Sequence, residues 1–292
     1  MKLITWNTQW CTGLDGQTSP ARIVETARAL ADFDVLCLQE IAVDCPGLPD
    51  VGAMDQVAWL RALLPGFELH FGAACIERGP RGRLQQFGNL VATRLPALQV
   101  QHHSLPWPAD PGQPSMPRLC TSVTVPHGQG FLRVMTTHLE YYSALQRGAQ
   151  VQALCEQQRQ AMRLAAAPPL GGDAGTPFQA KPHTASAIVC GDFNMAPTDP
   201  AYAALLAATD DHGQPLWQDA WQLSQPPDTP NTPHPPTFRL FDRRYGPEPV
   251  ACDFVFVTPD LAPAVRALRV DGHTQASDHQ PVLLELAEPV QP

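Results

Sequence analysis

The chain is built of short apolar runs that end in polar residues. They are "KLITWN" (2–7), "DVLCLQE" (34–40), "GNLVATR" (88–94), "LCTSVTV" (119–125), "FLRVMTTH" (131–138), "ASAIVCGD" (185–192), "CDFVFVT" (252–258) and "PVLLELA" (281–287). Runs of this length predict largely buried strands. Between some of them the apolar spacing changes to a helical period. Residues 20–31 predict a helix with Ser19 as N-cap and Pro20 at its first position, where proline's missing amide hydrogen would have no intrahelical partner anyway. "MDQVAWLRALL" (54–64) is amphipathic and stops at Pro65. The longest helix is expected at 144–166, with Leu145, Ala149, Ala153, Leu154, Ala161 and Met162 facing inward. Asp199–Pro200 repeats the cap-plus-proline start for a short helix to about 207.

Two stretches resist a core assignment. "PPLGGDAGTPFQAKPHT" (168–184) predicts a flexible surface insertion. Residues 225–249 are dense in proline, carry Arg239, Arg243 and Arg244, and predict a long ordered loop or lid. No linker divides the chain and no short-period repeat occurs, so one α/β domain over 1–292 with mixed sheets is expected.

Composition narrows the classes. Hydrophobic residues at 44% and charged residues at 16% suit a soluble globular protein. A formal charge of −9 argues against nucleic-acid binding through a broad basic face, though not against a cleft with a few cationic groups. Of the 19 basic residues only Lys2 and Lys181 are lysines, which removes the phosphate-binding loop that needs G-K-[ST]. No G-x-S-x-G elbow is present. The eight cysteines are scattered without a C-x-x-C pair, and several fall in apolar runs, so they are expected as reduced thiols. "MKLITWN" enters a strand pattern at once, and no run approaches a membrane span. A cytoplasmic monomer without a protein partner is the expectation.

The candidate chemistry lies at strand ends. "CGDFNMAP" (190–197) leaves an apolar run through Gly191 and places Asp192 and Asn194 two residues apart. On extended backbone both side chains project to one side. Asn7 and Glu40 end the first two runs, His138 ends the fifth, Asp253 opens "DFVFV", and Asp278 and His279 precede the last run. Singly, Asn7 or Asp253 reads equally well as a turn former and His138 as a structural histidine. Together such groups would be costly to bury without charge partners or a metal.

In order, "TWN", "LQE", "FGNLVATRLP", "TTHLE", "GDFNMAP", "DFVFV" and "SDHQPV" resemble the endonuclease/exonuclease/phosphatase family, which holds pancreatic deoxyribonuclease, exonuclease III-like AP endonucleases and neutral sphingomyelinases. The resemblance implies a four-layer α/β/β/α sandwich with a site at one edge. "THLEYYSALQRGAQ" is similar to the branch holding 5′-tyrosyl-DNA phosphodiesterases and sphingomyelinase-like enzymes. Many members carry a basic residue and Ile before the aspartate matched to Asp253, whereas this chain has Ala251–Cys252.

Phosphoester hydrolysis needs a cation on the phosphoryl oxygens, an activated water and help for the leaving oxygen. The resemblance implies Mg²⁺ or Mn²⁺ held by Glu40, with Asn7 and Asp278 in or near its shell. Asp192 would orient or deprotonate the water and Asn194 would hold phosphate or nucleophile. His279, oriented by Asp253, would donate to the phosphoryl oxygen, with His138 as a second donor. Asn89 and Arg118 are candidate substrate contacts. "RGPRGR" (78–83) reads as a phosphate contact or equally as a solvated hairpin tip, and Trp107 and Phe238 as stacking groups or buried anchors. A phosphodiester substrate in nucleic acid is the first expectation, a lipid or small phosphoester the second, and a catalytically silent binding module the third.

Overall fold

Every long apolar run becomes a strand, and Asn7, His138 and Asp192, which close their runs, meet Asp253, which opens its own, at one end of two stacked sheets. The computed structural model describes residues 1–79, 82–229 and 232–287. The first sheet contains β1 (Lys2–Asn7), β2 (Val35–Val43), β3 (Glu68–Arg78), β4 (Leu84–Thr93), β11 (Val265–Val270) and β12 (Val282–Leu286), in the order β11-β12-β1-β2-β4-β3. The second contains β5 (Gln99–Ser104), β6 (Leu119–His127), β7 (Gly130–His138), β8 (Ala187–Asp192), β9 (Gln218–Asp219) and β10 (Asp253–Val257), in the order β5-β6-β7-β8-β10-β9. Both sheets are mixed: β1–β2 and β7–β8 run parallel, and the other pairs run antiparallel. Leu3, Val35, Val91, Val134, Ile188 and Val255 fill the space between the sheets.

Helices α1 (Pro20–Leu30) and α2 (Gln56–Leu63) cover the outer face of the first sheet, burying Ile23, Val24, Val57 and Leu60 against Ile4, Leu36 and Leu38. Helices α3 (Ala144–Ala166) and α4 (Pro200–Leu206) cover the second, placing Val151, Leu154 and Tyr202 with Met135, Val189 and Phe256. A short α5 (Ala220–Leu223) follows β9. The expected α/β/β/α layering is therefore present. Ser19 accepts from the Arg22 amide at 3.2 Å and Asp199 from the Ala201 amide at 2.8 Å, so both cap-plus-proline starts hold.

The inward face of α3 differs from the sequence expectation. Leu145 is 57% exposed, and Gln146, Arg147, Gln150, Val151, Leu154, Cys155 and Gln158 are buried. The reason is hydrogen bonding to loop backbone. Gln150 Oε1 accepts from the Glu140 amide, Arg147 Nη1 donates to the Glu140 and Tyr141 carbonyls, and Gln146 Nε2 donates to the Pro108 carbonyl. An apolar period cannot reveal a face whose buried side chains are amides and a guanidinium.

β3, β5 and β11 are edge strands outside the expected set; β5 and β11 carry no continuous apolar run, while β3 contains the apolar stretch "FGAACI" (71–76). The segment 168–184 is largely exposed, as its composition predicts. The proline-rich 225–249 stretch is anchored: the Thr237 and Phe238 amides donate to the Val250 carbonyl, and the Gln280 amide donates to the Thr237 carbonyl. "RGPRGR" joins β3 to β4; its residues 80–81 lie outside the described residues, while Arg83 pairs with Asp44 at 2.7 Å. All eight cysteines are free thiols, and seven are buried. Among the described residues no helix is long and apolar enough to cross a membrane.

Gly191 fixes how closely β8 lies beside β7. Its φ is +137°, and an added Cβ would sit 1.9 Å from the Thr137 carbonyl oxygen. Gly191→Ala should destabilise the protein by at least about 2 kcal/mol, combining backbone strain with overpacking. The midpoint of urea unfolding reads this out, and an unchanged midpoint would show that β7 and β8 separate without penalty.

Candidate active site

Asp192 is the centre of the strand-end cluster. It ends β8 and is 1% exposed. Its Oδ2 accepts from Asn7 Nδ2 at 2.9 Å, and lies 3.5 Å from His138 Nε2 and 3.8 Å from His279 Nε2. Its Oδ1 accepts from the Asn194 amide at 2.9 Å. Burial raises its carboxyl to a pKa of about 6, an effect that the His279 charge opposes and the Asp253 charge reinforces.

Glu40 reaches the cluster from the first sheet. The β2–β4 register shifts between Leu38 and Ile41, and Glu40 sits in that bulge at φ +61°, inside the strand rather than at its end. The bulge turns its carboxylate towards Asn7, whose Nδ2 donates to Oε1 at 3.1 Å. Burial, then repulsion from Asp278, raises Glu40 to about 7. Burial likewise raises Asp278, whose Oδ1 accepts from Ser277 Oγ at 3.3 Å. Asn7 spans the Glu40 and Asp192 carboxylates through its nitrogen, while its Oδ1 accepts from the Gln9 amide at 3.0 Å.

The two histidines have opposite environments. His138 lies well below the ordinary range because burial disfavours its charge and Arg118 and His279 add repulsion. Burial also opposes the His279 charge, but Asp253 and Asp192 together outweigh it and hold that ring well above the ordinary range. The Asp253 Oδ2 to His279 Nδ1 contact is 2.9 Å. Phe238 stacks on the other side of the ring, with centroids 4.3 Å apart at 20°. Thr237 Oγ1 accepts from the Asp253 amide at 3.1 Å, so the proline-rich stretch positions both members of the pair.

A cavity of about 490 Å³ opens onto Glu40, His138, Asp192, Asn194, Asp278 and His279. Asn194, at φ +50°, is held by its Nδ2 donating to the Leu139 carbonyl at 2.9 Å. Arg118 also lines the cavity; its Nε donates to buried Glu140 at 3.2 Å, and its Nη1 has no partner. Asn89 does not line it: the Asn89 Nδ2 donates to the Leu119 carbonyl at 3.2 Å and links the sheets. Trp107 stands outside it, bonded to Ser115. The remaining wall, which the sequence did not reveal, includes Trp10, Phe87, Met116, Tyr141, Tyr142 and Tyr245. The neighbouring tyrosines of "EYY" were the one visible signal.

Asp192, Cys252 and His279 also place ligand-type atoms within 4.8 Å of one another. That set is poor for a soft metal. Burial holds the Cys252 thiol well above its usual range, and Asp253 occupies His279 Nδ1. The carboxylates of Glu40, Asp192 and Asp278 give hard oxygen donors instead.

A site of clustered carboxylates at the edge of an α/β/β/α sandwich defines a phosphoesterase class. The endonuclease/exonuclease/phosphatase family profile matches residues 4–279, and the chain belongs to that family, whose members are divalent-metal-dependent phosphoesterases. No curated protein matches the sequence. Among solved structures, an endonuclease/exonuclease/phosphatase from Beutenbergia cavernae is 25% identical with a TM-score of 0.68, over 100% of this chain and 73% of the other. The mannosyl-6-phosphatase Bt3783 of Bacteroides thetaiotaomicron is 17% identical with a TM-score of 0.65, over 98% and 99%. The human nocturnin catalytic domain, solved with a sulfate anion, is 16% identical with a TM-score of 0.60, over 98% and 93%.

Because a neighbouring carboxylate raises a histidine pKa, Asp253→Asn should lower that of His279. Nitrogen-15 NMR titration of the metal-free protein measures it. A ring that titrates unchanged would show that Asp253 supplies no charge to it.

Proposed function

We propose that the protein hydrolyses phosphodiester bonds in single-stranded or terminal nucleic acid, using Mg²⁺ or Mn²⁺. One observation carries the substrate reading: among the described residues the cleft has an aromatic wall but Arg118 is its single guanidinium. Bases stack on aromatic side chains without sequence preference. A duplex track would need several exposed cations, and the formal charge of −9 supplies no such surface. The same wall, with Leu48 and Met116, supports a second reading in which a lipid or small phosphoester occupies the cleft.

The carboxylates fit a hard cation. Glu40 and Asp278 are pushed towards their neutral forms by burial, and for Glu40 by the charge of Asp278. A divalent ion removes both penalties. Glu40 and Asp278 would hold it, with Asn7 beside them. When bound, such an ion polarises a phosphoryl oxygen and acidifies water. Asp192 takes up or orients the proton of the attacking water. Its raised pKa of about 6 suits a base working near neutrality. Asn194 and Arg118 bind the phosphoryl oxygens. His279, kept cationic by Asp253, donates from Nε2 as charge develops on oxygen. His138, neutral at working pH, holds Asp192 in place from the far side.

Mg²⁺ or Mn²⁺ binding should tighten between pH 6 and 8, since about half of Glu40 must lose a proton near its pKa of about 7. Calorimetry in buffers of different ionisation enthalpy should detect proton release, and Glu40→Gln should abolish it. Equal affinity in that variant would remove Glu40 from the cation shell.

Asp192→Asn and His279→Ala should each lower kcat by roughly 10²–10⁴-fold with melting curves recorded alongside. A substrate panel of single-stranded DNA and RNA, duplex and abasic DNA, sphingomyelin, inositol phosphates, a hexose 6-phosphate and p-nitrophenyl esters decides the class. Single strands should be preferred, with a shallow salt slope of about −0.7 per phosphate contacted. Activity confined to sphingomyelin or sugar phosphates would establish the second reading.

A further inference from the structure

Three arginines are buried among the described residues: Arg118, Arg133 and Arg147. Arg118 pairs with Glu140 and Arg147 with Asp199. Arg133 has no such partner. It projects from β7 to the outer face of the second sheet beneath α3 and is 6% exposed. Its Nη2 donates to Gln158 Oε1, and its Nε has no acceptor. Burial lowers its pKa to about 10, so it stays cationic at neutral pH, and no carboxylate acts on it. A buried charge without a counterion is destabilising by several kcal/mol in typical cases.

A cavity of about 110 Å³ opens onto this guanidinium. Gln99, Gln101 and His103 line it from alternate positions of β5, and therefore from one face of that strand. Gln157 lines it from α3, and His183 and Thr184 close it. Thr184 Oγ1 donates to the Phe131 carbonyl at 2.9 Å, tying this wall to β7. Among the described residues no aspartate or glutamate is in the lining, and none of its residues is shared with the catalytic cleft. The volume holds several waters, which is room for one small tetrahedral ion. An oxyanion in the cavity can accept from the Arg133 guanidinium, which is 6% exposed, and from the side-chain amides of Gln99 and Gln101.

We propose that this cavity is a binding site for a small tetrahedral oxyanion, inorganic phosphate, separate from the catalytic cleft. Phosphate supplies the missing counterion.

Phosphate titration by calorimetry and thermal shift, in EDTA at neutral pH, tests this on four proteins. The wild type and His279→Ala should bind phosphate alike. Gln101→Glu and Arg133→Met should bind it at least about tenfold more weakly, a loss of about 1.4 kcal/mol. Gln101 is exposed, so Gln101→Glu keeps the test decisive if Arg133→Met fails to fold. That carboxylate should also raise the melting temperature in the absence of phosphate. Binding that disappears in His279→Ala but persists in Gln101→Glu would assign phosphate to the catalytic cleft alone and overturn the proposal. No binding by the wild type at about 20 mM phosphate would overturn it as well.

Discussion

The Asp192 carboxylate joins the two sheets electrostatically. Asn7 from the first sheet donates to it, while His138 and His279 approach from β7 and from the segment before β12. Glu40 and Asp278 add two more buried carboxyl groups from the first sheet's side. Like charges so close cannot all ionise freely, and burial disfavours each of them further. Two imidazoles and one amide offset part of that penalty. The remainder is what makes the site receptive to a cation, and it explains why Glu40 and Asp192 lie near neutrality instead of at ordinary carboxylate values.

Backbone devices keep this cluster in place. Glu40 and Asn194 both adopt positive φ, and Gly191 a φ that side chains rarely tolerate. Strain of this kind persists only where the surroundings over-determine it. Here the surroundings are a hydrogen-bonded floor. Ser277 Oγ donates to the Asn7 carbonyl at 2.8 Å and Trp6 Nε1 to the His279 carbonyl at 2.9 Å. Residues from the two ends of the chain thus hold each other, with β1 paired to β12. The proline-rich stretch completes the enclosure by laying Phe238 over His279.

Buried cations divide the second sheet into two polar regions. Arg118 faces the cleft with Glu140 as counterion. Arg133, fifteen positions further on, faces the opposite direction of function, beneath α3 and without a carboxylate. The same sandwich therefore supports a carboxylate-rich pocket suited to a cation and a carboxylate-free pocket suited to an anion.

The apolar runs by themselves determined the central strands, because strands covered on both faces must be apolar throughout. The cap residues Ser19 and Asp199 determined two helix starts, because their local hydrogen bonds need no tertiary partner. The polar residues at either end of those runs marked Asn7, Glu40, His138, Asp192, Asp253, Asp278 and His279 as candidates, since such groups seldom flank buried strands in company. Edge strands β5 and β11 were not legible, because a half-exposed strand lacks a continuous apolar run. Nor was the buried polar face of α3, whose amides serve loop carbonyls rather than the core. Asn89 shows the same limit: one amide can line a cleft or link two sheets, and only its Leu119 partner decides. The aromatic wall of the cleft and the unpaired Arg133 also belong to tertiary structure. Each depends on which distant segments meet, and neither the period of a strand nor the composition of a loop carries that information.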